Sequence, residues 1–222
     1  AQWGQRFFFS LNTTHGIGEG SLFGNQMGGF VAAGRARHVV SLQRFGPQGV
    51  QLVAHNTGYL AAEGNPARAM LERAFSNSLL SQAAVVSQPH PTTQAVLVEA
   101  NVLIVNDYPM GAAQLERQYR QGYAFDARNS GIERVRQSEQ ETGFQVRAHY
   151  GLGRVAQPSP GSAGPSPSLP GTVPDARSLF LGYYWGFSRL PEPMQPRVAD
   201  PRVGYFATEV AVPFTADDYE YS

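Results

Sequence analysis

Histidines are the side chains in this 222-residue chain best suited to bind a metal ion or to act as a base. A zinc site commonly uses two histidines one helical turn apart, or side by side on paired strands. No histidine is followed by glutamate and no H-x-x-x-H spacing occurs, so we assign no metal ligand to this chain. The five histidines are His15, His38, His55, His90 and His149.

Three of these histidines have an informative sequence context. His38 and His55 lie at opposite ends of a predicted hairpin, and they can face each other across it. Such cross-strand neighbours are more often a hydrogen-bonded polar pair than a metal site. His15 lies in a Gly-rich segment, and it is the histidine best placed to meet a ligand.

Motifs for nucleophilic, cofactor and calcium chemistry are missing from the sequence. It has no cysteine and no G-x-S-x-G elbow. The segment Gly16–Gly20 lacks the third glycine and the βαβ context of a dinucleotide-binding loop. The acidic residues Asp217, Asp218 and Glu220 do not have the spacing of an EF-hand. We therefore predict no catalytic residue and no cofactor-binding residue.

Composition excludes two classes of partner. The 17 basic residues, all arginine, balance 17 acidic residues, so no clustered positive field is available for nucleic acid. A membrane-spanning helix needs about 20 apolar residues, and the apolar run 95–105 is interrupted by Glu99 and Asn101. We expect neither a nucleic-acid partner nor a membrane span.

Alternating and aromatic segments predict a β-rich chain. Residues 5–11 are expected to form a buried strand, followed by a Gly-rich loop over 12–34. Residues 37–45 and 50–55 predict a hairpin around the Gly-Pro-Gln-Gly turn at 46–49. Further strands are predicted over 95–105, 132–136, 143–151, 177–190 and 203–207.

Two helices are expected to pack on these strands. Asn65-Pro66 is a typical helix start, and apolar residues spaced three or four apart predict one long helix over about 66–86. A shorter helix is predicted over 111–121. The fold class expected is therefore α+β and β-rich, with antiparallel sheets and one long helix.

Residues 156–174 are rich in Pro, Ser and Gly. Such a segment buries too little apolar area to offset its ordering entropy, which predicts a flexible loop open to proteolysis. A loop joining two strands is more often an excursion than a boundary, so residues 1–222 are predicted to form a single domain.

The C-terminal third carries a recognisable pattern. Pro196-Arg197 followed by Asp200–Phe206 (DPRVGYF) resembles the segment that closes an N-terminal domain of unknown function in bacterial zinc-dependent metalloproteases. Their catalytic domain is EcxA-like and metzincin-type. Weaker similarities follow the family's order along the chain, at residues 14–18, 40–47, 68–79, 96–107 and 125–132.

The resemblance implies a non-catalytic accessory domain of a larger secreted or periplasmic metalloprotease. The zinc and its H-E-x-x-H ligands are expected in a downstream peptidase domain of the same polypeptide, which would be the partner. This chain would hold no cofactor. Arg197, Arg202 and Tyr205 are the candidates for contact with that domain, since arginines pair bidentately with carboxylates.

Two other functions are compatible with the sequence. The aromatic strand Leu181–Phe187 can form a platform for glycans or peptides in a stand-alone module of the cell envelope, although alternating aromatic residues more often belong to a core. Trp185 would then be the central contact. A weaker hypothesis is a small hydrolase that uses His15 or His149 with a carboxylate such as Glu19.

Overall fold

The computed structural model describes residues 3–19, 37–59, 61, 64–159, 161 and 164–191. They form seven strands and three short helices. The strands are β1 (Arg6–His15), β2 (Arg37–Phe45), β3 (Gly49–His55), β4 (Ser78–Ala84), β5 (Ala124–Gln137), β6 (Glu141–Gly151) and β7 (Ser178–Arg189). The helices are α1 (Ala67–Ala74), α2 (Ala100–Ile104) and α3 (Gly111–Tyr119).

All seven strands belong to one curled antiparallel sheet with the order β4-β3-β2-β1-β7-β6-β5. β1 lies in the middle, paired with β2 on one side and β7 on the other. The predicted β2–β3 hairpin is confirmed, with Phe45 opposite Gly49 and Gly46 at a φ of 63° in the turn. Glycine adopts this left-handed conformation without steric cost.

The prediction of an α+β fold with one long helix is wrong, although the β-rich character is confirmed. α1 ends at Ala74, and Ser78–Ala84 form β4 instead of continuing the helix. β4 pairs with β3, whose edge would otherwise leave a row of backbone N–H and C=O groups unpaired. Strand pairing thus overrides a helical spacing that is only a weak prior.

The strand predicted over 95–105 is also wrong. Residues 100–104 form the one-turn helix α2, and an isolated bridge joins Val85 to Val98. Leu103, Ile104 and Val105 are nevertheless buried. Apolar runs of this length indicate burial without distinguishing a strand from a helix.

One face of the sheet carries the hydrophobic core. Alternate residues of β1 and β7, among them Phe9, Leu11, Tyr183 and Trp185, are almost fully buried there. The same cluster includes Ile104 of α2 and Leu115 and Tyr119 of α3, so these two helices cover this apolar face. Among the described residues, no helix combines the length and apolar content needed to cross a bilayer.

The segment 156–174 is attached to the core by several hydrogen bonds. The Gln121 amide donates to and accepts from the backbone of Ala156, at 3.2 and 2.8 Å. Ser168 N donates to the carbonyl of Tyr119 at 2.9 Å. Glu19, held by the Tyr119 hydroxyl at 2.9 Å, accepts from Gly171 N at 3.1 Å. These hydrogen bonds tie Ala156, Ser168 and Gly171 to Gln121, Tyr119 and Glu19.

Candidate functional site

The opposite side of β5, β6 and β7 presents polar groups. Side chains alternate across a strand, so the residues between the core positions of β7 point away from the apolar face. We call this side the polar face; it carries Asp126, Glu141, Arg147, His149, Ser178, Phe180, Tyr184 and Ser188.

Three of these residues form a linear hydrogen-bonded cluster, the Ser178–His149–Asp126 cluster. His149 Nδ1 lies 3.0 Å from Asp126 Oδ2, and His149 Nε2 lies 2.8 Å from Ser178 Oγ. Each residue comes from a different strand, so the sheet register alone brings the three together.

The register explains the geometry. Asp126 lies opposite His149 on β5, whereas Ser178 on β7 lies opposite Gly151, two residues beyond His149. A diagonal pair of this kind is about 7–8 Å apart at the backbone, within reach of a long side chain. Because Gly151 has no side chain, the imidazole can lean along the face toward Ser178.

A register shift in β5 anchors the aspartate end. Between Asp126 and Gly131 the strand bulges, and the bulged residues fold back onto the carboxylate. Asn129 Nδ2 donates to Asp126 Oδ2 at 2.6 Å, and Arg128 N donates to Oδ1 at 3.0 Å. Ser130 Oγ accepts from His149 N at 2.8 Å. β-Bulges commonly aim a side chain in this way.

These donors stabilise the ionised form of Asp126. The Asn129 amide above all, then His149 and the Arg128 backbone N–H, lower the pKa of the Asp126 carboxyl below its ordinary value. An ionised carboxylate only accepts hydrogen bonds, so His149 Nδ1 carries the proton and donates to it. In neutral His149, Nε2 is then the acceptor for the Ser178 hydroxyl.

The cluster is buried at its centre and accessible at the serine. His149 is 9% exposed, whereas Ser178 is exposed. The Phe180 ring covers one side of the imidazole, with ring centroids 4.9 Å apart. The Arg147 guanidinium lies on the same Phe180 ring at 3.7 Å, a cation–π contact.

A cleft of about 280 Å³ opens beside Phe180, farther along the same face. Its walls include His15 of β1, Glu133 of β5 and Arg147 of β6, and Gly182 of β7 lies among its lining residues. Arg147 Nη1 and Glu133 Oε1 lie 3.9 Å apart in its lining. The cleft therefore combines an aromatic wall with a half-exposed ion pair.

A second polar cluster lies at the other end of β7. The Tyr184 hydroxyl donates to Glu141 Oε1, and Ser188 Oγ donates to Oε2 of the same carboxylate at 3.1 Å. A Cβ on Gly143 would overlap the Tyr184 phenol, which shows that the hydroxyl end of the ring lies against this glycine. We refer to this group as the Glu141–Tyr184–Ser188 cluster.

The histidines singled out from the sequence have separate environments. His38 packs on Phe9 on the apolar face, with ring centroids 6.3 Å apart. His55 lies opposite Val39, which places it on the other face, 2.8 Å from Ser41 Oγ. His38 and His55 therefore do not face each other. His90 Nδ1 accepts from the loop amides of Thr92 and Thr93.

The other candidates are also accounted for. Glu19 contacts Tyr119 and Gly171 and neither His15 nor His149, so the pairing of a histidine with this carboxylate is not formed. Trp185 is fully buried, which removes it from any exposed aromatic platform. Arg197, Arg202 and Tyr205 lie outside the described residues, as does the strand predicted at 203–207.

Asp126 and Ser178 are the members of the cluster that sequence reasoning missed. They lie 23 residues before and 29 residues after His149, a spacing that matches no linear motif. Only the strand register could have paired them. In the ranges that the structure describes, no group of three or more histidine, aspartate or glutamate side chains is arranged to hold a metal ion.

A comparison with protein-family models matches residues 35–221 to a family described as "Domain of unknown function (DUF5117)". No curated protein and no solved structure matches the chain.

Proposed function

The chain belongs to the DUF5117 family of domains of unknown function, and from this premise we propose that it is an accessory domain of a secreted or periplasmic zinc metalloprotease. In this proposal the domain packs against a downstream peptidase domain of the same polypeptide and helps to shape it. The zinc ion and its ligands belong to that second domain.

The observation that carries the proposal is the ordered similarity to the domain that precedes such peptidases. The family match at 35–221 includes the closing segment 196–206 and all but the first of the weaker similarities. Those at 40–47, 68–79, 96–107 and 125–132 fall on β2, on α1 with β4, on α2 and on β5. The similarity is therefore spread over several elements of the sheet, as expected when the parent protein needs the whole domain.

The closing segment supplies the proposed contact with the peptidase domain. In the sequence, Arg197 and Arg202 flank the dipeptide Asp200-Pro201, and Tyr205 follows it. Guanidinium groups pair with carboxylates in a fixed bidentate geometry, which suits them to fix the orientation of a neighbouring domain.

The first experiment is to read the coding sequence beyond codon 222. The proposal expects an H-E-x-x-H followed by a third histidine. The 222-residue chain, expressed alone, is then expected to bind less than one tenth of an equivalent of zinc and to leave casein uncut. A stop codon directly after codon 222, or one tightly bound zinc ion per isolated chain, would overturn the proposal.

The second experiment tests the contact in the full polypeptide. Arg197→Ala combined with Arg202→Ala is expected to lower peptidase activity at least about tenfold, because loss of a buried interfacial charge pair costs about 2–5 kcal/mol. The matched control is Arg134→Ala with Arg154→Ala, two exposed arginines of the described part of the domain. Equal activity of the two double variants would exclude the arginine contact.

A further inference from the structure

We propose that Ser178, His149 and Asp126 form a nucleophile, base and orienting group that hydrolyse small carboxylic esters. This activity goes beyond the accessory role and does not depend on it. The sequence analysis considered a small hydrolase that uses His149 with Glu19. In the structure the partners of His149 are instead Asp126 and Ser178.

The distances are those that serine activation requires. A nucleophile and its base, and the base and its orienting group, must each lie within about 2.6–3.2 Å. Both contacts of His149 meet this condition, at 2.8 Å to Ser178 Oγ and 3.0 Å to Asp126 Oδ2. The order hydroxyl–imidazole–carboxylate is also correct, since the carboxylate binds the nitrogen remote from the serine.

The cluster is anchored at one end and open at the other. Asp126 accepts hydrogen bonds from Asn129, Arg128 and His149, which leaves the carboxylate little freedom to turn. Ser178 is exposed at the first position of β7, where water would satisfy its hydroxyl in the absence of a histidine. Acyl transfer needs this arrangement, because the substrate must reach the serine oxygen while the base stays oriented.

Phe180 links the cluster to the neighbouring cleft, because its ring packs on the imidazole of His149 and also lines the cleft, whose other lining residues include neither Ser178 nor His149. Phe180 is two residues from Ser178 on the same face, about 7 Å away along the strand, and it lines the cleft. A volume of about 280 Å³ lies just below the range of about 300–1,000 Å³ typical of drug-sized ligands. Together the aromatic wall and the small volume fit an ester with a short acyl chain.

The reaction balances with water as the only co-reactant. The Ser178 oxygen attacks the ester carbonyl carbon while His149 Nε2 takes the hydroxyl proton. The bond between that carbon and the alkoxy oxygen then breaks, and His149 returns the proton to the departing alcohol. Water, deprotonated by the same nitrogen, attacks the acyl-serine, releases the carboxylic acid and restores the Ser178 hydroxyl.

The test uses the whole chain, a fluorophosphonate probe and p-nitrophenyl acetate. We expect phosphonylation at Ser178, located by peptide mass spectrometry, together with ester hydrolysis above the buffer rate. Ser178→Ala should abolish labelling, and His149→Gln should slow labelling and hydrolysis at least a hundredfold, within the usual contribution of a general base of about 10²–10⁴.

Ser188→Ala is the matched control. Ser188 lies on the same strand and face and also donates to a carboxylate, but directly and without a histidine between them. This variant should label and hydrolyse as the wild type does. Absence of labelling in the folded wild type, labelling elsewhere than Ser178, or equal labelling rates in the wild type and His149→Gln would each overturn the proposal. Thermal unfolding of each variant verifies that it is folded.

Discussion

The two polar clusters of β7 use similar groups in different ways. Each contains a serine hydroxyl and a carboxylate on the polar face, at opposite ends of the same strand. Ser188 donates directly to Glu141, whereas an imidazole separates Ser178 from Asp126. The Glu141 carboxylate accepts the hydrogen bond of the Ser188 hydroxyl. The Asp126 carboxylate instead orients His149, which contacts the Ser178 hydroxyl.

A glycine beside each cluster also contributes to the difference between them. At the Glu141 end the Tyr184 phenol lies against Gly143, and hydrogen bonding to Glu141, together with burial, raises the pKa of this phenol. Tyr184 is therefore a fixed donor, and the cluster is closed over by its own ring. At the Asp126 end the neighbouring Gly151 leaves room for the imidazole to lean toward Ser178. β6 and β7 thus build a structural tie at one end, and at the other end they form a reactive arrangement together with Asp126 of β5.

The largest expected effect comes from a core residue on the opposite face of β7. Trp185 is fully buried on the apolar face of β7, with its ring 5.5 Å from Phe9 and 5.9 Å from Tyr108. Trp185→Ala should lower the free energy of unfolding by about 3–5 kcal/mol, because it removes a large buried side chain and leaves a cavity. Chemical denaturation measures the loss.

Phe180→Ala is the control for Trp185→Ala. Phe180 is an aromatic residue of the same strand on the polar face, 38% exposed, and its removal should cost clearly less. An equal or smaller loss for Trp185→Ala would show that Trp185 is not a core residue. This outcome would also support the hypothesis that the aromatic strand is a binding platform.

Local turn chemistry was the part of the fold that the sequence predicted well. The β2–β3 hairpin follows from alternation on either side of a Gly-Pro-Gln-Gly turn, and these signals are complete within about 20 residues. The helix over 66–86 failed because β4 forms through a partner strand about 30 residues earlier. No window along the sequence contains that pairing.

Only one residue of the candidate site, His149, could be predicted from the sequence. His149 is recognisable as a titratable side chain on an alternating strand, but its partners come from β5 and β7. Their positions depend on the bulge between Asp126 and Gly131 and on the pairing of Gly151 with Ser178. Both features belong to the assembled sheet, and one residue of slip would move His149 to the other face.

A smaller effect should separate the two clusters. Gly143→Ala places a methyl group where the Tyr184 phenol lies, so the ring must move away from Glu141. Forced repacking of this kind costs about 1–3 kcal/mol of stability. Labelling of Ser178 should keep its wild-type rate, since His149 and Asp126 lie at the other end of the strands.

Gly153→Ala provides the control for Gly143→Ala, because a Cβ on Gly153 meets no atom within 4 Å. It should leave stability nearly unchanged. A parallel loss of Ser178 labelling in Gly143→Ala would mean that the two clusters are coupled and that the comparison between them fails.

The smallest effect concerns the charge on Asp126. Its pKa is lowered in the folded protein, so its ionised form contributes stability that is fully present above the ordinary carboxyl pKa of about 3.9. That contribution is lost as the pH falls through the folded-state pKa, that is, below about pH 4. The fall in unfolding temperature between pH 7 and pH 3 should therefore be smaller in Asp126→Asn than in the wild type.

An NMR titration of the Asp126 carboxyl group tests the cause of this difference directly. Asn129→Ala removes the strongest hydrogen-bond contribution and should raise the pKa of Asp126 toward its ordinary value, whereas Asn12→Ala, a change of the same type on β1, should leave it in place. If Asp126 titrates at its ordinary pKa in the wild type, the hydrogen bonds of the bulge do not stabilise its ionised form, and both expectations fail.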